Sequence, residues 1–276
     1  MSKHATVQYE NNPFYIAYNG VTLLFKSAQS VGIFAAVLAG IGLLGGGISN
    51  IASVFAPYQD TPTDTSVNET MPAVFDEAMF AVIAGIGLVM LLMGLVFSLI
   101  SLFLYGILEY TAAKLANNEI VTLEHAFAGV WKLFPGYIWV YVIAITKLFL
   151  WTLLFIIPGI IMSVRYSLAG IAYFSENKKG NQAIKRSLEL TKGAWFTTFA
   201  GFTLGNMITF GLAPTIVNPA AGTILYKQLR AVTDSGKQKP AAHWLTWLTF
   251  FVPIIVGLLF IMLILFFIML LIKTLG

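Results

Sequence analysis

Long apolar runs separated by short polar stretches dominate this chain. A helix that crosses a membrane needs about 20 mostly apolar residues. Three runs of this kind occupy Val31 to Phe55, Ala78 to Glu109 and Trp244 to Ile272. The run from Tyr137 to Phe174 is too long for one crossing, and Pro158-Gly159 interrupts it. The pattern therefore predicts a hairpin, with one segment ending at Ile157 and the next beginning at Ile160.

A further apolar run, Trp195 to Tyr226, has a different character. It is interrupted by Pro214 and by Asn218-Pro219, and basic residues flank it on both sides. It is too short to cross twice, yet its ends are predicted to lie on the same side of the membrane. We therefore expect a tight or re-entrant hairpin, because irregular backbone at membrane depth is tolerated only where protein or water surrounds it.

Amphipathic stretches precede the apolar runs three times. The first spans residues 12–30, and the third carries Ile184, Leu188 and Trp195 on one face. The second has Thr122 in position to cap a helix, followed by apolar residues at helical spacing: Leu123, Phe127, Val130 and Phe134. Each predicts a helix lying at the membrane surface, and the alternative is that each forms the cytoplasmic end of a membrane helix.

These elements predict an all-α, polytopic transmembrane bundle that forms one domain over residues 1–276. It comprises three units of interfacial helix plus hairpin (12–113, 114–176 and 177–230), a terminal helix (244–272) and an external loop (58–77). Segments one and two also contain glycines spaced for close helix packing, among them Gly87 and Gly94.

Composition supports the membrane assignment. The chain is 58% hydrophobic and only 10% charged, whereas about a quarter of the residues of a soluble domain are charged. Lysine and arginine concentrate in the segments that would face the cytoplasm, and the 58–77 loop has none. The asymmetry predicts a plasma (inner) membrane protein with its N-terminus cytoplasmic and its C-terminus external.

A motif between Pro158 and Gly193 resembles a known membrane domain. Pro158-Gly159, Arg165, Glu176 and the sequence AIKRSLELTKG over 183–193 are followed by Leu225-Tyr226 and Leu229-Arg230. This series is similar to the membrane domain of the glycerophosphoryl diester phosphodiesterase type and its stand-alone relatives. The resemblance implies a multi-helix membrane domain. It does not imply phosphodiesterase activity, because that activity belongs to a catalytic barrel that this sequence lacks.

No catalytic, cofactor or metal site is predicted. The chain has no cysteine, and its three histidines are not at ligand spacing. An acid–base pair would need Glu109 or Glu176 to be drawn in from the inner edge of the membrane. A candidate intramembrane polar site comprises Lys147, Arg165 and Asn206. Charges inside a membrane usually face the interior of the bundle. The alternative for Lys147 and Arg165 is that each pairs with another charge or extends toward the membrane surface.

A basic cluster is predicted to contact anionic lipid headgroups on the cytoplasmic side. It comprises Lys178, Lys179, Lys185, Arg186 and Lys192. The expected partners are membrane lipids and a membrane protein. No nucleic-acid partner is expected. The sequence favours a non-enzymatic protein associated with lipid, the envelope or a membrane complex. The alternative is a small-solute transporter or channel that uses the broken 195–226 hairpin with Lys147 and Arg165.

Overall fold

The computed structural model describes residues 9–41, 77–209 and 213–275, and all secondary structure in these ranges is helical. The helices are α1 (Pro13–Ser27), α2 (Gln29–Ile41), α3 (Glu77–Ala116), α4 (Leu123–Leu154), α5 (Ile156–Tyr166), α6 (Ala169–Glu176), α7 (Asn181–Thr191), α8 (Trp195–Ile208), α9 (Pro214–Asp234) and α10 (Trp244–Leu275). The predicted all-α bundle is confirmed.

Four stretches are long and apolar enough to cross a membrane. They are Val82–Ala116, Leu123–Leu154, Ile156–Glu176 and Trp244–Leu270. Helices α1 and α2, which meet at an angle of 118°, form a fifth candidate if the bent pair is one span. Neither α8, with 14 residues, nor α9, with 21, is among the four candidate spans. The four candidate spans show that the protein is membrane-embedded. Helices α8 and α9 of the 195–226 region pack against each other.

Local signals in the sequence explain several helix ends. The Asn12 side chain accepts a hydrogen bond from the Phe14 amide, and Pro13 occupies the first turn of α1. Thr122 accepts from the His125 amide, as predicted, and Glu124 lies in the positive first turn of α4.

Two predicted boundaries are corrected. The amphipathic stretch that begins at Leu123 is the first part of the 32-residue helix α4 and not a separate surface helix. Pro135 lies inside this helix without ending it. The break predicted at Pro158-Gly159 lies instead at Phe155, and Pro158 falls in the first turn of α5. A proline is tolerated there because the amides of a first turn have no partner inside the helix.

The closest helix packing is between α1 and α9. Gly20 lies against the backbone of Ala220 so closely that a Cβ atom on Gly20 would overlap the Ala220 carbonyl oxygen. Gly205 of α8 similarly leaves room for Val217 of α9. Small residues therefore let α1, α8 and α9 form a compact unit.

The long helices α3 and α10 divide into a packed part and an exposed part. Residues 107–116 of α3 are mostly buried against α4, α6 and α9, whereas residues 82–101 expose almost every apolar side chain. Most of α10 beyond Phe250 is exposed too. Outside its own helix backbone, a Cβ at Gly87 or Gly94 would meet no heavy atom of the described structure within 4 Å. The other half of the predicted close packing, segment one, is described only as far as Ile41.

Other predictions fall partly outside the described residues. These are segment one beyond Ile41, with its glycines, the 58–77 loop, and residues 210–212 of the predicted 195–226 hairpin.

Candidate functional site

A cavity of about 580 Å³ lies among α3, α4, α5, α6, α8 and α9. Its lining combines one carboxyl group, several hydroxyl and amide groups and a larger set of apolar side chains. The lining residues are Tyr105, Glu109, Val140, Tyr141, Ala144, Ile145, Leu148, Ile160, Ser163, Val164, Tyr166, Ser167, Ala169, Gly170, Phe199, Phe202, Thr203, Asn206 and Asn218. A concave, mostly apolar surface with a few convergent polar groups is typical of a ligand site.

Glu109 forms the polar inner end of this cavity. It is only 2% exposed, and its Oε2 accepts a hydrogen bond of 2.8 Å from the Tyr137 hydroxyl. The backbone of Gly170 passes directly beside the carboxylate, and a Cβ at position 170 would overlap its oxygens. Glycine at 170 is therefore required for Glu109 to occupy this position.

The sequence of each helix explains how the inner end forms. Glu109 is the only charged residue between Ala78 and Thr111 of α3, so that helix carries one carboxylate into an otherwise apolar interface. Tyr137 and Tyr141 lie one turn apart on α4 and face the same side, with ring centroids 4.9 Å apart. Gly170 occupies the first turn of α6.

Two asparagines, Asn206 on α8 and Asn218 on α9, also line the cavity. The Asn206 amide nitrogen on α8 donates to the Phe202 carbonyl at 2.8 Å and to Asn218 Oδ1 on α9 at 2.7 Å. Asn206 Oδ1 is buried and has no hydrogen-bond donor among the residues that the structure describes. The pair ties α8 to α9 at the cavity and leaves an unsatisfied acceptor there.

The outer part of the cavity is apolar and open to the side of the bundle. Its lining includes Ile145 of α4, 62% exposed, and Ile160 of α5, 49% exposed. Both belong to helices that qualify as membrane spans. In a bilayer, a side opening with apolar edges is accessible to lipid rather than to water.

The three residues of the predicted intramembrane polar site are not brought together. Only Asn206 belongs to the lining of the cavity. The Lys147 ammonium group donates a 2.5 Å hydrogen bond to Asn181 Oδ1 at the start of α7. Arg165 is half-buried, and its carbonyl accepts a hydrogen bond from the Ser187 hydroxyl. The sequence pattern does not predict that the N-terminal end of α7 packs beside α4, because the two helices are distant in the chain.

The predicted basic cluster separates into one structural arginine and four outer lysines. The Arg186 side chain is 12% exposed and contacts three carboxylates: Glu176 at 2.9 Å, Asp234 at 2.6 Å and Glu189 at 3.4 Å. Lys179, Lys185 and Lys192 are exposed, and Lys178 is half-buried. Three of the four lysines are therefore exposed to the surroundings, whereas Arg186 is largely occupied by its carboxylate partners.

The Arg186 cluster, defined here as Arg186 with Glu176, Glu189 and Asp234, joins α6, α7 and α9. Burial by itself would lower the pKa of Arg186, but the hydrogen bonds to Asp234 and Glu176 raise that pKa above its ordinary value overall. The Tyr226 hydroxyl also donates to Glu176 Oε1, at 2.5 Å. Burial and this bond both raise the pKa of Tyr226. Residues of the Pro158–Gly193 motif thus serve here to hold helices together.

Metal binding has little support in this part of the chain. Within 9–41, 77–209 and 213–275, no group of three or more His, Asp or Glu residues could hold a metal ion.

Comparison with protein-family models, with curated proteins and with solved structures finds no match to this chain.

Removing the hydroxyl group at position 137 tests how far the Glu109 carboxyl group depends on its hydrogen bond. We expect Tyr137→Phe to lower the free energy of unfolding in detergent by about 1–3 kcal/mol, because a buried acceptor loses its donor. The control is Tyr18→Phe, at an exposed position of α1, which should change that free energy by less than about 0.5 kcal/mol. Equal stability of the two variants would contradict the assigned bond.

Proposed function

We propose that this chain is a non-enzymatic integral membrane protein that binds a lipid, or a similar amphiphile, in the cavity among α3, α4, α5 and α8. The observation that carries the proposal is the polarity gradient of the cavity. Buried Glu109 and half-buried Asn206 are among its polar lining residues, and exposed isoleucines of two membrane spans line its side opening. A molecule with one polar end and an apolar tail matches this gradient.

The cytoplasmic surface supports the same proposal. Lys179, Lys185 and Lys192 are exposed on or beside α7, and each contributes about 1 kcal/mol of attraction near an anionic leaflet. With these lysines on the cytoplasmic side of the plasma (inner) membrane, the N-terminus is cytoplasmic and the C-terminus external. A membrane-protein partner is a further element of this proposal, because the exposed part of α3 could contact another helix as well as lipid.

A second candidate function is transport of a solute or lipid. The Asn206–Asn218 pair favours it, because this pair lies in the cavity within the broken 195–226 region, and interrupted helices often form substrate sites in transporters. In liposomes, transport would appear as exchange of a fluorescent lipid between leaflets. A protein that only binds lipid would leave that exchange at the rate of empty liposomes.

Filling the cavity tests the proposed function. Ala144 of α4 lines the cavity, and we expect Ala144→Phe to remove the lipid that remains bound after detergent washing. The matched control is Ala128→Phe, at an exposed position of the same helix, which should keep that lipid. Native mass spectrometry counts bound phospholipid per chain. Equal lipid retention by both variants would overturn the proposal.

A further inference from the structure

The inner end of the cavity holds a buried carboxyl group that no basic side chain of the described residues accompanies. Its lining includes one carboxyl group, from Glu109, and no lysine, arginine or histidine. In the described ranges, no basic side chain lies within 4.0 Å of the Glu109 carboxylate oxygens. The lining serine hydroxyls already donate within their own helix, Ser163 to the Ile160 carbonyl and Ser167 to the Val164 carbonyl.

The ionised form of a buried carboxylate is very costly unless a cation or several donors accompany it. Tyr137 donates to Glu109 and the Tyr141 hydroxyl lies within hydrogen-bonding reach of it, whereas a carboxylate has about four acceptor positions. The buried Asn206 Oδ1 is a second acceptor that lacks a donor among the described residues. A ligand whose polar end lies beside Glu109 is therefore favoured if it brings a positive charge and N–H donors.

We propose that the ligand of this cavity carries a primary ammonium group on an apolar tail, with Glu109 as its counter-charge. This inference depends on the proposed function, since it names the class of amphiphile bound. An ammonium group supplies N–H donors to the remaining acceptor positions of the Glu109 carboxylate, and a charged hydrogen bond is stronger than a neutral one. The tail lies between Leu148, Ile160 and Phe199 at the outer part of the cavity.

Two sources supply this chemistry. One is a phospholipid with an ethanolamine headgroup, and the other is a free long-chain amine. The shared feature is the primary ammonium group. A quaternary ammonium lacks N–H donors, and a glycerol headgroup lacks the positive charge, so lipids with these headgroups are matched comparisons.

The experiment measures retention of defined lipids by the full chain after delipidation, using native mass spectrometry. Dioleoyl-phosphatidylethanolamine, -phosphatidylcholine and -phosphatidylglycerol are offered in equal amounts, and dodecylamine is offered separately. We expect ethanolamine lipid or dodecylamine to be retained about tenfold better than the other two lipids, the difference of roughly one charged hydrogen bond. Retention of dodecylamine without the ethanolamine lipid would identify a free amine as the source.

Glu109→Gln keeps the shape and the acceptor for Tyr137 but removes the charge, and we expect it to abolish the tenfold preference. The control is Glu124→Gln, at an exposed position in the first turn of α4, which should keep the preference. If Glu109→Gln does not fold, the comparison of headgroups on the unaltered protein is by itself the test of the ammonium assignment.

The two proposals fail in different ways. Equal retention of all three phospholipids and no retention of dodecylamine, with binding still lost in Ala144→Phe, would overturn the ammonium assignment and leave the lipid-binding function standing. Preference for phosphatidylglycerol or phosphatidylcholine would also overturn it. Binding that Ala144→Phe does not affect would overturn the proposed function itself.

Discussion

Replacing Arg186 by alanine is expected to lower the free energy of unfolding by about 3–5 kcal/mol, the usual effect of removing one partner from a buried ion pair. Arg186 and Glu176 are 12% and 17% exposed at their side chains, so water screens this pair little. Without Arg186, the Glu176 carboxylate would lie uncompensated between α6 and α9, with the Tyr226 hydroxyl as its remaining donor.

The exposed members of the Arg186 cluster contribute much less to this effect. Glu189 and Asp234 are 62% and 53% exposed, and exposed ion pairs contribute little to stability. The control is Lys185→Ala, at the neighbouring exposed position of α7. Titration with sodium dodecyl sulfate, followed by circular dichroism, measures both variants. Loss of less than 1 kcal/mol in Arg186→Ala would show that the cluster does not join the helices.

Replacing Gly20 by leucine is expected to separate α1 from α9 and to lower the free energy of unfolding by about 3 kcal/mol, at the upper end of the usual effect of overpacking. The Cβ atom alone would overlap the Ala220 carbonyl oxygen. Backbone cannot move aside as a flexible side chain can, so the two helices must separate. Their contact also buries Ile16 and Leu24, which would lose packing at the same time.

Gly87 provides a matched control for Gly20. It lies inside the helix α3, and a Cβ there would meet nothing within 4 Å in the described structure. We expect Gly87→Leu to be neutral or slightly stabilising, because leucine forms helix better than glycine. The midpoint of heat-induced aggregation in detergent compares the two variants. Similar midpoints for Gly20→Leu and Gly87→Leu would contradict the close approach of α1 and α9.

The contrast between Gly20 and Gly87 shows a limit of the sequence pattern. Both glycines lie in apolar or amphipathic helices, and a spacing pattern marked Gly87 and Gly94 for close packing but did not mark Gly20. Spacing along one helix identifies a surface that permits close approach. It does not identify which other helix, if any, approaches it.

The sequence alone determined that this is an all-α membrane protein, because apolar runs of sufficient length and a shortage of charge leave lipid as the only suitable solvent. It also determined the cap at Thr122 and the interruption at Pro214, where α9 begins, whereas the predicted interruption at Asn218-Pro219 is wrong because α9 continues through it. These properties depend on residues that are neighbours in the chain.

Only the tertiary structure decided which polar residues meet. It placed Glu109 beside Tyr137 and Gly170, paired Asn206 with Asn218, and directed Lys147 to Asn181. Arg186, which the sequence grouped with surface lysines, became the buried partner of Glu176. Each of these contacts joins different helices, so it depends on their packing and rotation, which the composition of a single helix does not specify.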